Sequence, residues 1–162
     1  MSINTKAAAR RPLTLSSIAE LRRDLDALEA SHRAGRLRTS GNWTPGQAFS
    51  HIATFIEFGY NGYPPNLNPP LIIKWIIRLQ KKKFLLQGMP AGVRIPGIEG
   101  GTLGADRVPF EAGMARLRAA WDQLEKAPPT YPSPAFGEMP HEDVIRLNLK
   151  HSALHLSFLH PA

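Results

Sequence analysis

Apolar residues recur along this chain at spacings of three and four, with no sustained alternation, so the pattern is that of helices packed on one another. Ile18, Leu21, Leu25 and Leu28 form the first stripe, behind a Ser17-x-x-Glu20 capping box, and Gly35 marks its end. The second stripe, Ala48, Ile52, Phe55 and Ile56, has a stronger start. Thr44 caps, Pro45 fits the first helical position and Gln47 completes the box, while Gly59, Gly62 and Pro64-Pro65 close the helix. Residues 60–70 read as loop. A further helix is predicted over about 71–86, with the lysines near its C-terminal end suiting the helix dipole and Gly88 as cap. Residues 88–108 read as a second, longer loop, of the kind that shapes a site or wraps a bundle.

Pro109 opens the next helix, on the stripe Phe110, Met114, Leu117, Trp121 and Leu124, and Pro128-Pro129 stops it. Residues 130–140 are proline-rich and expected to be extended. The last helix is predicted from Pro140 to about Leu159, on Val144, Leu147, Asn148, His151, Leu154, His155 and Phe158. Four amphipathic helices and one inserted helix give an all-α fold, a helix bundle, with no strand of any length.

Length and composition narrow this further. The chain has 162 residues, which suits a flexible tail over 1–12 and a single domain over 13–162. It has no cysteine, so disulfides and thiolate-held metals are excluded, and any metal must sit on nitrogen and oxygen. Net charge is +7 and the pI about 10.1, with much of the excess in Arg10-Arg11 and Lys81-Lys82-Lys83. No nucleic-acid reader motif accompanies that charge, so nucleic acid is not an expected partner. The most apolar run, 71–79, is too short to span a membrane and carries two charges, so no transmembrane segment is expected. Apolar residues surround most of that helix. It needs cover by a homodimer contact, the favoured outlet, or by an acidic membrane surface. No apolar stretch follows Arg10-Arg11, so no export signal is read and a cytoplasmic location is expected.

The candidate chemistry lies in the histidines. His151 and His155 are four apart, about 40° around one helix face and one turn above each other, the spacing that offers two imidazoles to one ion. Two core histidines bonded to backbone or to each other would look the same. His51 points inward from the second helix, beside Ala48, Ile52 and Phe55. Three inward imidazoles are hard to satisfy as neutral core residues, and one divalent ion satisfies all three. Three histidines also leave coordination positions open for water or substrate. Their nearest ring nitrogens are expected within roughly 3 to 4 Å of one another. His32, at the end of the first helix, His141, in the first turn of the last, and His160, about 140° around from His155, fit worse.

The segment Asn42-Trp43-Thr44-Pro45-Gly46-Gln47-Ala48-Phe49-Ser50-His51-Ile52-Ala53 is similar to the second-helix motif of the DinB-like superfamily. His151-Ser152-Ala153-Leu154-His155-Leu156-Ser157-Phe158 resembles that superfamily's closing helix. Gly88-Met89-Pro90-Ala91-Gly92 and the Phe136-Gly137 turn look like one branch, a domain of unknown function. The resemblance implies a four-helix bundle with a long crossover, often dimeric, and a metal triad falling on His51, His151 and His155. Better-understood relatives are thiol S-transferases that activate mycothiol, bacillithiol or glutathione; others are described as metal-dependent hydrolases. The chain departs from the general pattern in its basic insert, 71–86, and in Met139-Pro140 where a serine or threonine cap is expected.

The leading expectation is therefore a metal-dependent thiol S-transferase-like enzyme, with zinc or nickel as the metal and a low-molecular-weight thiol as cosubstrate. The runner-up is a metal-dependent hydrolase, which wants a general base; Glu57, about 120° from His51 on its helix, is poorly placed for that. The third reading is a non-enzymatic metal- or ligand-binding module, as a dimer.

Overall fold

The helix starts are built from their caps. In the computed structural model, Thr44 Oγ1 accepts from the Gln47 N–H at 3.3 Å and Gln47 Oε1 accepts from the Thr44 N–H at 3.0 Å, a complete capping box. Ser17 Oγ accepts from the Glu20 N–H, but the Glu20 carboxylate reaches one residue further back, to the Ser16 N–H at 2.7 Å. The structure describes residues 3–88, 90–95 and 98–162. Met1 and Ser2 of the expected tail, Met89 of the Gly88–Gly92 segment, and Pro96 and Gly97 of the long loop lie outside the described residues.

Six α-helices and one two-residue strand pair make up the described chain: α1 (Ile18–Arg33), β1 (Arg38–Thr39), α2 (Pro45–Asn61), α3 (Leu71–Leu79), α4 (Lys81–Gln87), α5 (Phe110–Lys126), α6 (His141–Leu156) and β2 (Leu159–His160). The all-α bundle expected from the stripes is the one found. Helices α1, α2, α5 and α6 enclose its core, where Leu21, Leu25 and Leu28 meet Phe49, Ile52, Leu117, Trp121 and Leu124. Arg11 clamps the segment before α1. It donates to both carboxylate oxygens of Asp24, at 2.7 and 2.6 Å, and to the Leu159 carbonyl.

Helix α2 packs most heavily on α5, and two glycines set that closeness. A Cβ on Gly46 would stand 2.2 Å from the Val108 carbonyl oxygen, and one on Gly113 would stand 2.8 Å from the Gly46 carbonyl oxygen. No side chain fits at either position.

Four expectations are corrected. The insert is two helices, broken at Gln80 (φ −90°, ψ 2°), so Lys81–Lys83 form the first turn of α4 and do not complement a helix C-terminus. The two halves have different neighbours: α4 packs on α6, burying Leu85, whereas α3 buries nothing. The last helix ends at Leu156, and Leu159–His160 pairs antiparallel with Arg38–Thr39. Pro161 disfavours helix at His160, and two residues are too few to show alternation. Residues 130–140 are not extended throughout, since Ser133 and Gly137 close a turn with Gly137 at φ +74°. On α6 the buried residues are Leu149, His151, Ser152, Ala153 and Leu156, while Leu147 and Leu154 are half-buried. The core stripe of α6 runs instead through Ile145, Leu149, Ala153 and Leu156, at steps of four, four and three, on the far side of the helix from Leu147 and Leu154.

Gly46→Ala is expected to destabilise the fold by about 1–3 kcal/mol, because the methyl must push α2 off the start of α5. A shift of the urea midpoint to lower concentration checks it; an unchanged midpoint would mean that the helices do not need this approach.

Candidate metal centre

Helix α2 is buried on almost every side, from Ala48 through Ile56, so a histidine at position 51 is nearly enclosed. His51 is 3 % exposed and His151 8 %; His155, one turn further along α6, is half-buried. Their Nε2 atoms converge. His51 Nε2 lies 3.1 Å from His151 Nε2, and His155 Nε2 lies 3.1 Å from the same atom. One ligand nitrogen from each lies within 4.8 Å of the others. Two ligands of a tetrahedral ion with bonds of ~2.0–2.1 Å stand about 3.3 Å apart. Two of the three pairs thus meet the expected 3 to 4 Å separation, and the third lies within 4.8 Å.

The hydrogen-bond arithmetic of this cluster has a definite shortfall. His51 Nδ1 lies 2.7 Å from the Leu103 carbonyl oxygen, which can only accept, so Nδ1 carries the proton and donates. A neutral His51 then presents a bare Nε2 lone pair to His151. If His151 Nε2 carries a hydrogen, that single N–H faces lone pairs on both neighbours and serves one of them well. If it does not, the His51–His151 contact is lone pair against lone pair. Protonating a ring is no escape. Burial lowers His51 to about 4, against the opposing bond to the Leu103 carbonyl; burial and then the neighbouring His51 lower His151 to about 3. Burial, His151 and His51 together hold His155 well below the ordinary histidine value. A cation among the three nitrogens would take every lone pair at once, and the donor set, three neutral imidazoles, fits a divalent metal ion.

Aromatic rings and one loop hold these imidazoles in place. Trp43 lies nearly parallel to His155 at 5.2 Å between centroids and tilted against His51 at 4.9 Å; Phe55 packs on His51 and His151. The Leu103 carbonyl is delivered by the loop before α5. There Gly104 (φ +71°) lies so close to α2 that a Cβ would come within 2.5 Å of the Thr54 side chain. Trp43 stands in the sequence motif without an assigned role. Its position just ahead of the Thr44 cap, at the entry to the helix that carries His51, was the available signal. The Leu103 carbonyl had none, since a backbone oxygen leaves no mark in a side-chain pattern.

The remaining histidines lie apart, each with its own partner. His32 stacks on Phe110 at 3.7 Å and approaches Glu111, His141 Nε2 donates to the Leu124 carbonyl at 2.6 Å, and His160 Nε2 meets Ser40 Oγ at 2.9 Å. Glu57 is held by Arg116, whose Nε donates to Oε1 at 2.9 Å and whose Nη2 pairs with Oε2. Among the described residues no carboxylate joins the three histidines. Surface cavities of about 430 and 470 Å³ lie at the α2–α5 start and between the N-terminal segment and α6; none of the three histidines lines either.

Over residues 7–162 the chain matches the model of a family described as proteins of unknown function, DUF1569. It belongs to that family. The match takes in His51 and the His151–His155 pair, so the cluster lies wholly within the DUF1569 domain. No curated protein and no solved structure matches the chain.

The lowered histidines make the metal-free DUF1569 protein acid-sensitive in a defined window. In the unfolded chain His51 and His151 take protons near 6.5; in the fold they stay neutral to about 4 and 3. Between those values the unfolded chain binds more protons, so stability falls as pH drops from about 6.5 toward 4, and is untouched by these groups above that window. Each histidine contributes up to about 1.4 kcal/mol per pH unit. Urea midpoints of metal-free protein between neutral pH and pH 5 measure the slope, and a flat profile would contradict neutral buried imidazoles.

Proposed function

We propose that this DUF1569 protein is a metal-dependent enzyme of DinB-like type, with His51, His151 and His155 as ligands and a thiol S-transferase-like activity. The observation that carries the reading is the convergence of three Nε2 atoms around a hydrogen-bond shortfall, with His51 turned ligand-ready by the Leu103 carbonyl. Three protein ligands leave at least one coordination position for a small molecule. The two-helix arrangement of one histidine on α2 and a pair on α6 agrees with the resemblance drawn from the Asn42–Ala53 and His151–Phe158 segments.

A bound divalent ion supplies a site that holds a low-molecular-weight thiol and lowers its pKa, so that the thiolate predominates near neutral pH. The chain itself orients and dries the site. Trp43 and Phe55 wall the imidazoles and exclude water, and the half-buried His155 marks the side from which a substrate approaches. In the transfer, sulfur forms a bond to an electrophilic carbon of the second substrate while that carbon's leaving group departs with the electron pair. The thiol proton goes to solvent. With no cysteine in the chain, the sulfur must come from the cosubstrate.

Two observations support transfer over hydrolysis. Hydrolysis wants a general base beside the ion, and the nearest acidic candidate on α2, Glu57, is occupied by Arg116. No carboxylate among the described residues joins the cluster.

His151→Ala is expected to fold, lose bound metal and lose thiol-dependent turnover together. The core is apolar and does not need an ion to form, so chelation should lower the melting temperature only by mass action, worth about 2.7 kcal/mol at a hundredfold excess over Kd. Circular dichroism melts, elemental analysis and a glutathione-transfer assay measure the three. A folded variant that keeps full turnover without metal would sink the enzymatic reading; wild-type protein that binds metal tightly and transfers nothing would favour a binding module.

Gly104→Ala tests the support behind the ligands. The methyl must displace the 102–104 loop from Thr54 and carry the Leu103 carbonyl away from His51. Metal affinity is expected to fall by roughly 10- to 100-fold, with all three histidines intact. A titration with zinc against a competing chelator reads it, and unchanged affinity would show the carbonyl to be dispensable.

A further inference from the structure

Helix α3 faces its apolar side outward. Leu71 is 83 % exposed, Ile72 67 %, Trp75 64 % and Leu79 65 %, and at about 100° per residue these four occupy one arc roughly 100° wide. Lys74 and Ile77, on the opposite arc, are half-buried. A helix packed for the core would do the reverse. Such a surface, crowned by a tryptophan and isoleucine and leucine side chains, is made to be covered.

The charge around it selects the cover. From residue 58 to residue 98 the sequence holds six cations, Lys74, Arg78, Lys81, Lys82, Lys83 and Arg94, and no aspartate or glutamate. Lys81 meets Asp143 of α6 at 3.4 Å, while Arg78, Lys82 and Lys83 are exposed. In a two-fold contact between copies of this chain the same patch faces itself, so these cations would meet their own kind beside a desolvated apolar seam. An anionic lipid surface gives the opposite sign to the cations and an apolar medium to the tryptophan.

We propose that α3 and the first turn of α4 dock the protein on an anionic membrane surface, lying in its plane. Leu71, Trp75 and Leu79 enter the boundary between headgroups and acyl chains, and Arg78, Lys82 and Lys83 pair with lipid phosphates. None of the helices is long and apolar enough to cross a membrane, among the described residues, so the contact is peripheral. It does not depend on the chemistry at the histidines.

The test is co-sedimentation of the full chain with vesicles of phosphatidylcholine alone and of phosphatidylcholine mixed with phosphatidylglycerol. Binding is expected to the mixed vesicles and weakly or not at all to the neutral ones, and to fall with added salt. Leu71→Gln with Trp75→Gln, and separately Lys82→Gln with Lys83→Gln, should each reduce it on the order of tenfold. All four side chains are exposed, and a circular dichroism melt confirms that the variants fold. Wild-type protein that ignores both vesicle types, or binding that Leu71→Gln with Trp75→Gln leaves unchanged, overturns the proposal. So does a stable dimer in sedimentation equilibrium that the same pair of substitutions dissociates, since a second copy would then be the cover.

Discussion

The close approach of α2 to α5 governs the rest of the molecule. With Gly46 against the Val108 and Pro109 carbonyls and Gly113 against Gly46, the start of α2 is driven into the start of α5, and nothing larger than hydrogen fits between them. A helix wedged so deeply cannot be amphipathic in the usual way. Nearly every residue from Ala48 to Ile56 is buried, polar ones included. Ser50 and Thr54 are satisfied by the Arg116 guanidinium, which donates to both hydroxyls and to Glu57 from α5. The packing that buries the leucines therefore also decides that His51 is dry, and its polar ring atoms must be matched inside the protein.

From that burial the electrostatics of the site follow. An imidazole at the surface would titrate near 6.5 and tolerate a proton; three together in a low-dielectric pocket cannot, because each charge is unsolvated and repels the next. The fold responds by fixing one tautomer with the Leu103 carbonyl and pressing the three Nε2 atoms together, although hydrogen bonds among neutral rings cannot serve them all. Buried polar groups that are only partly matched are costly. Their retention in the middle of an otherwise apolar bundle is the physical reason to attribute to the cluster a task other than stability.

Most of the bundle was legible because its helices obey local rules. The Thr44–Pro45–Gln47 start, the Phe110-to-Leu124 stripe and the histidine spacing each lie within a few turns of chain, where periodicity and capping speak directly. Three of the misreadings share one cause. The break at Gln80, the different core face of α6 and the β1–β2 pair all depend on which distant element happens to be adjacent: α6 for α4, α2 and α4 for α6, the 38–39 segment for the chain end. Tertiary neighbours of that kind leave little trace in local pattern. For the same reason the histidine positions were readable but their supports were not. Trp43 reaches His155, and the Leu103 carbonyl reaches His51, across sequence distances that no stripe connects.

The two parts of the chain that break the bundle's rules do so in opposite ways. On α2 and α6 polar rings lie where apolar ones would be cheaper, while on α3 apolar side chains lie where polar ones would be. Neither helps folding. The anomalies also lie on different elements, the histidines on helices of the bundle and the exposed apolar arc on the insert between α2 and α5. Substitutions on the exposed arc of α3 are therefore expected to leave the bundle core intact, and substitutions around His151 to leave the outward face of α3 unaltered. That separation follows from the architecture: the bundle core, built from α1, α2, α5 and α6, closes without a buried residue from α3.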